Sequence, residues 1–291
     1  MTETDGPRIL DRGYRPFEGR RGGPANAVRS VAVQGFRSVL GIGRPARTKI
    51  LPVASAAIAY VPATVFVGLA VLVPGGILDP NDVASYANSY GFIISALVLF
   101  TALVAPSALT SDRRNGMLGL YLSTPLTRST YLLAKAISVG GVLLIVTMGP
   151  PLLILIGYSF ESAGPSGLLG FLGVLGRIVL SGLAIGAVYS GVSMAVSSLT
   201  DRQAVASAAI VFVLLVSGTL TTTLVENTSA PDELQLANLV SVPFELVYRI
   251  FGEIGPMPEL ATAAVVAANA GWALAGWGLT WWRYRTMAVT R

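Results

Sequence analysis

The sequence predicts an all-α membrane protein with six transmembrane helices, an N-terminal amphipathic interfacial helix and both termini cytoplasmic. Three observations lead there. Apolar residues make up 53% of the 291 positions and charged residues only 12%, with a mean hydropathy of +0.67, whereas soluble domains carry about a quarter charged residues. A soluble core of this length cannot hide that much apolar surface, so lipid has to be the solvent for much of it. The apolar residues also come in unbroken runs of about twenty, not in the ten-residue alternating segments of a β-barrel, so the spans are helices that satisfy their own backbone. Finally, eighteen of the twenty Lys and Arg residues fall on one side of the span pattern, and the positive-inside rule makes that side the cytoplasm.

Residues 1–26 form a polar, Gly- and Arg-rich cytoplasmic tail without the apolar core of a signal peptide. An entry segment follows at 27–49. Over Ala27 to Gly43, Val28, Val31, Ala32, Phe36, Val39 and Leu40 recur at helical spacing, while Arg29, Ser30, Gln34, Arg37 and Ser38 take the other side. That pattern predicts a helix lying on the inner leaflet with its arginines at phosphate level.

The six-helix transmembrane domain covers 50–291, with spans expected at 50–73, 91–109, 136–158, 178–199, 203–225 and 260–282. Asp79 and Asp82 sit in the first outer loop, which has no basic residue. Pro150 and Pro151 should kink or unwind the outer half of the third span. The stretch from Gly167 to Leu199 is too long for one upright helix, so an interfacial or tilted piece is expected before the fourth span. Asp201 and Arg202 make a tight inner turn, and 226–259 forms an outer segment of two short amphipathic helices hinged at Pro243. Trp281 and Trp282 followed by Arg283 and Arg285 make an interface anchor. Arg177 is a possible in-membrane charge, with Glu161 a candidate partner. Gly182, Gly186 and Ser190 form a small-residue stripe suited to helix packing.

Composition removes whole classes of chemistry. Without Cys or His there is no disulfide, no zinc site of the usual kind, no thiol nucleophile and no imidazole base. No catalytic, cofactor-binding or metal-ligating residue can be nominated. The basic pI needs no nucleic acid to explain it, because the basic residues flank apolar spans and face membrane lipids.

The informative segment is the inner loop at 110–130. It runs from Ser111-Asp112-Arg113-Arg114-Asn115-Gly116 through Leu118, Tyr121 and Leu122 to Thr124-Pro125, and Lys135 opens the third span. Leu118, Tyr121 and Leu122 share one helical face, Gly116 interrupts the helix start and Pro125 closes it. A short delimited helix projecting from two spans is either a handle for a soluble partner or a plain connector.

This segment resembles the signature of ABC-2 type permeases, the membrane subunits of type V ABC exporters. Arg113, Gly116, Leu118, Leu122, Thr124, Pro125 and Lys135 match that signature, with Asp112 in place of its first Glu. Arg114, Met117 and Gly119 depart from it and replace two acids, which puts any ion pair made from those positions in doubt. The order of parts along nearly the whole chain is also similar. The resemblance implies that the loop is a coupling helix seated on a separate ABC ATPase subunit, with Asp112, Arg113, Arg114, Asn115, Gly116, Leu118, Tyr121, Leu122 and Pro125 as the ATPase-coupling interface. It further implies a second permease subunit, the same chain or a paralogue, and outer helices at 226–259 that narrow the exit. The chain lacks a Gly-x-x-x-x-Gly-Lys-Ser/Thr loop, so no cofactor is expected in it, and ATP and Mg would belong to the partner subunit. The expected function is export of an unidentified, amphiphilic-type substrate across the plasma membrane. The rivals are a secondary transporter or channel, which would want acidic or His residues deep in the spans, a non-transporting membrane anchor, and an intramembrane enzyme, for which no nucleophile and base are apparent.

Overall fold

The computed structural model describes residues 22–72, 85–161, 164–228 and 230–287, and among them every regular element is helical. Most of the expected tail, the loop acids Asp79 and Asp82 and the last four residues lie outside the described residues. In chain order the helices are α1 (Pro24–Val39), α2 (Ile50–Leu72), α3 (Tyr86–Gly91), α4 (Ile94–Leu99), α5 (Ser107–Arg114), α6 (Met117–Leu122), α7 (Arg128–Phe160), α8 (Gly167–Leu199), α9 (Gln203–Asn227), α10 (Ser241–Phe251) and α11 (Thr262–Thr286). A π turn at Phe100–Val104 joins α4 to α5, and a 3-10 turn at Asp232–Ala237 precedes α10.

Five helices are long and apolar enough to cross a membrane: α2, the run Tyr86–Arg114, α7, α8 and α9. With 25 residues, α11 also exceeds the roughly 20 that a bilayer core requires. Its glycines, Asn269 and four tryptophans dilute its apolar character, so it does not join the five on composition.

The entry helix begins earlier than the sequence pattern suggested, with Pro24 in its first turn, where a missing N–H costs nothing. It ends in a Schellman motif: Gly41 adopts φ 73°, Gly41 N–H bonds Ser38 O at 3.1 Å and Ile42 N–H bonds Arg37 O at 2.8 Å. Its apolar face, expected on lipid, meets protein. Ala32, Gly35 and Val39 are buried, and Ser138 of α7 donates to Ala32 O at 2.9 Å. A Cβ on Gly35 would fall onto the Ser138 hydroxyl.

Span two is less regular than the pattern implied. Pro106 cannot donate to Ala102, and the backbone just ahead of it shifts to i→i+5 bonding, with Ala105 N–H on Phe100 O at 3.0 Å. Side chains from neighbouring helices serve the carbonyls of this turn: Ser193 reaches Thr101 O at 3.2 Å and Gln203 reaches Leu103 O at 3.2 Å.

Two expectations about the long helices are corrected. No separate piece precedes the fourth span, because α8 is one unbroken helix of 33 residues, about 50 Å long at 1.5 Å per residue. Nor do Pro150 and Pro151 unwind α7, which continues through both. Tyr60 of α2 donates to Ile145 O at 3.0 Å, next to the carbonyls that the prolines leave without their usual donors, and Gly149 leaves room for that ring, since a Cβ there would lie 1.7 Å from its hydroxyl.

At the end of the bundle away from loop 110–130, Pro243 does not act as a hinge. It sits in the first turn of α10, where no donor is needed. The chain bends instead at Asn238, whose buried side-chain oxygen accepts from Val240 N–H at 3.1 Å and Ser241 N–H at 2.9 Å. Glu245, fully buried, pairs with Arg249 at 2.8 Å and also accepts from Met257 N–H at 3.0 Å. Arg249 then donates to Met257 O at 2.8 Å and Leu260 O at 3.1 Å, folding the loop before α11 onto α10.

Helices α7 and α8 hold the centre: α7 packs against α1, α2 and α8, and α8 also packs against α9, α10 and α11. Gly182 and Gly186 of the small-residue stripe face Met148, Thr147 and Leu144 of α7, as a packing face should. Where α8 crosses α11 backbone meets backbone: a Cβ on Gly276 would lie 2.5 Å from the Gly191 carbonyl carbon. Gly276→Val should therefore force these helices apart and lower the melting temperature in detergent, by an overpacking cost of about 1–3 kcal/mol. Gly271→Ala, with nothing within 4 Å of the added methyl, should not lower it, since alanine favours a helix interior over glycine.

Candidate functional site

Loop 110–130 is a compact helical turn whose two ends are fastened to the bundle. Helix α5 stops at Asn115, Gly116 reverses the chain with φ 65°, and α6 occupies Met117–Leu122. Non-glycine residues adopt that left-handed conformation only at a cost, so Gly116 is required by the turn. Thr124 donates to Tyr121 O at 2.6 Å. Thr127 then caps α7, its hydroxyl accepting from Thr130 N–H at 3.2 Å while the Thr130 hydroxyl accepts from Thr127 N–H at 2.8 Å.

Asp112 and Lys135, at opposite ends of the segment, form an ion pair at 2.7 Å with side chains only 13% and 6% exposed. The Tyr131 hydroxyl donates to the same Asp112 oxygen at 2.9 Å. The Lys135 ammonium lies 5.9 Å from the Tyr121 ring centroid and 5.6 Å from that of Tyr131, within cation–π range. Burial, and then the negative charge of Asp112, push the Tyr121 phenol above its ordinary pKa, so it stays a neutral ring beside the lysine.

Arg113 turns the other way. Its guanidinium pairs with Asp201 at 2.8 Å and donates to the last carbonyls of α8, Ser198 O most closely and Thr200 O at 3.4 Å. A cation at a helix C-terminus also complements the helix dipole. Arg128 does the same for α11, donating to Tyr284 O at 3.0 Å and Arg285 O at 2.6 Å. The Tyr131 ring lies between those of Tyr121 and Tyr284 in tilted contacts, with centroids 5.5 Å and 6.0 Å away. Charges and rings from one loop thus reach α7, α8, the α8–α9 turn and α11.

The predicted interface residues divide into two sets. Asp112, Arg113, Leu118, Tyr121 and Leu122 face the bundle, with Leu118 buried and Tyr121 and Leu122 half-buried. Arg114, Asn115, Gly116 and Pro125 are exposed. The shared face of α6 was therefore read correctly from spacing, but its partner is the protein's own core. What α6 presents outward is Leu120, 61% exposed. Asp201 was read from the sequence only as a turn residue, and Arg128 and Tyr284 were not singled out; one carboxylate in an otherwise polar turn and one arginine in a cap are weak signals without the third dimension.

Arg177 is not paired with Glu161. It is exposed and donates to Phe251 O at 3.3 Å, at the C-terminal end of α10, so the carbonyls of that helix end take its charge.

The family model for the ABC-2 family transporter protein matches residues 55–277, which takes in most of α2, the other four membrane-type helices, the loop and most of α11. The chain belongs to the ABC-2 transporter family. No curated protein matches it. A chain of this family with this helical complement is a membrane-embedded transporter component, and the two ends of its loop segment, Asp112 and Lys135, meet in space.

Replacing one member of a buried ion pair leaves the other uncompensated, at a cost of about 3–5 kcal/mol. Lys135→Met should lower unfolding stability in detergent by that order. The pair Lys135→Met with Asp112→Asn, which keeps an acceptor for Tyr131, should lose clearly less than the two single changes added together. Additive losses in that double-mutant cycle would show that the pair does not couple the loop ends.

Proposed function

We propose that the chain is the permease subunit of an ABC exporter, powered by a separate ATPase subunit that docks on loop 110–130. The observation that carries this reading is the fastening of that loop: Asp112, Arg113 and Arg128 tie a projecting helix to three long helices, so displacement of α6 must be felt by all of them. A connector needs no such bracing. The docking face consists of Leu120 with Arg114, Asn115 and Pro125 around it, while Leu118, Tyr121 and Leu122 transmit force inward. The chain itself hydrolyses nothing; ATP and Mg are bound by the partner, and a second permease subunit completes the assembly.

In this reading α11 is a sixth span, both termini are cytoplasmic, α1 lies at the inner surface of the plasma membrane against α7, and α10 with its preceding turn covers the outer end. The charge asymmetry of the sequence supports that orientation. The transported molecule moves outward, and the apolar spans suit an amphiphilic cargo. The rival without an ATPase, a secondary transporter or channel, gains no support from the described spans: the buried acids, Asp112 and Glu245, are already paired at opposite ends of the bundle.

Two measurements test the reading. The wild type has no cysteine, so single cysteines at Asp232 and Glu253 should react with an impermeant thiol reagent on intact cells, whereas one at Asn115 should react only after permeabilisation; labelling of Asn115 in sealed cells would overturn the topology. For coupling, Leu120→Asp with Arg114→Glu should reduce co-purification with the candidate phosphate-loop ATPase by tenfold or more, since central interface residues are typically worth about 2 kcal/mol or more. Undiminished binding, with the melting temperature unchanged, would mean that α6 is not the docking helix.

A further inference from the structure

Beside the fastened loop, but separate from it, lies a recess of about 210 Å³ where the end of α1, the start of α2, span two and the start of α9 converge. Arg44 and Arg47 form part of its wall, together with Ser38, Thr48, Ser107 and Gln203. No carboxylate lines it. Among the described residues neither arginine forms an ion pair, and Arg44 donates to the neutral Ser38 hydroxyl at 2.6 Å.

The recess shares part of its wall with a second space. Leu51, Leu103 and Gln203 also line a groove of about 980 Å³ between α2 and α9. From Gln203 the groove follows α9 past Ala208, Val211 and Phe212 to Leu215, roughly 18 Å at 1.5 Å per residue and so about half of a ~30 Å hydrocarbon core. Phe212 is 67% and Leu215 56% exposed, leaving an apolar surface at membrane depth with a basic, hydrogen-bonding pocket at its mouth.

We propose that this is a binding site for one anionic phospholipid of the adjoining leaflet, its phosphate held by Arg44 and Arg47 and an acyl chain laid along α9. A helix of a second copy would match the groove but would leave the two guanidinium groups at its mouth facing apolar side chains. A phosphatidyl headgroup supplies the missing charge while its tail supplies the missing apolar contact. The proposal goes beyond the transport reading and requires only that this end of the bundle meets a bilayer surface.

The test is native mass spectrometry of the full chain released from detergent containing either phosphatidylglycerol or phosphatidylcholine with the same acyl chains. The wild type should keep one phosphatidylglycerol per chain and prefer it over phosphatidylcholine by about twenty-five-fold, because each of the two arginines near an anionic surface is worth about a factor of five. Arg44→Gln with Arg47→Gln should abolish that preference. The control Arg29→Gln with Arg37→Gln, which neutralises two exposed arginines of α1 outside the recess, should keep it. Ala208→Trp, which fills the groove, should lower retention of both lipids. Equal retention of the two lipids by the wild type, or equal loss in the control pair, would overturn the site. So would displacement of phosphatidylglycerol by millimolar inorganic phosphate, which would make it a free-anion site. A dimer mass that Ala208→Trp abolishes while lipid retention stays unchanged would assign the groove to a second copy.

Discussion

A lysine ammonium cannot remain at 6% exposure without a carboxylate to hold it, and much of the organisation of one end of this protein follows from that need. Lys135 sits about two turns into α7, Asp112 near the end of α5, and the chain between them has to close on itself for the two to meet. Gly116 makes the reversal, the Thr127 cap restarts the helix, and the rings of Tyr121 and Tyr131 occupy the space around the ammonium. With Asp112 committed inward, its neighbour Arg113 is directed toward the end of α8 and Asp201. One buried pair therefore fixes the height and tilt of α6 relative to α7, α8 and α11.

The helical class and the five membrane-type segments were legible in the sequence, because apolar runs and flanking charges carry that information directly. The ends of helices were less legible. α7 extends from Arg128, eight residues before its expected start, since a capping box and polar first turns add helix without adding apolar residues. In the outer segment Pro243 suggested a hinge, but proline in a first turn costs nothing, and the bend went to Asn238, whose side chain replaces the missing backbone donors' partner. Spacing found the face of α6 that carries Leu118 and Tyr121, and spacing alone could not say whether that face meets a partner or the protein itself. The answer lay in Asp201, Arg128 and Tyr284, far away in sequence and near in space.

The two ends of the bundle solve a similar problem with different means. At the loop end, charges from α5, α7 and the α8–α9 turn cross-brace the bundle. At the other end, Glu245 and Arg249 are one turn apart on the same helix, and their remaining hydrogen-bonding capacity goes to the backbone of the following loop. The first arrangement joins long helices to each other, and the second shapes a short helix and its connection into a cap. Between them, α8 and α11 approach so closely at Gly191 and Gly276 that no side chain can be inserted.

The π turn at Phe100–Val104 has a bearing on this arrangement that reaches well beyond its own five residues. One additional residue in a turn rotates everything after it by about 100° relative to an uninterrupted α-helix. Asp112 and Arg113 lie downstream of that rotation, so the compass heading of both charges is set by a proline-induced miscount higher up the same helix. Had the winding stayed regular, the carboxylate that now meets Lys135 would point to a different neighbour, and the keying of the loop to its bundle would be lost without a single change in the motif itself.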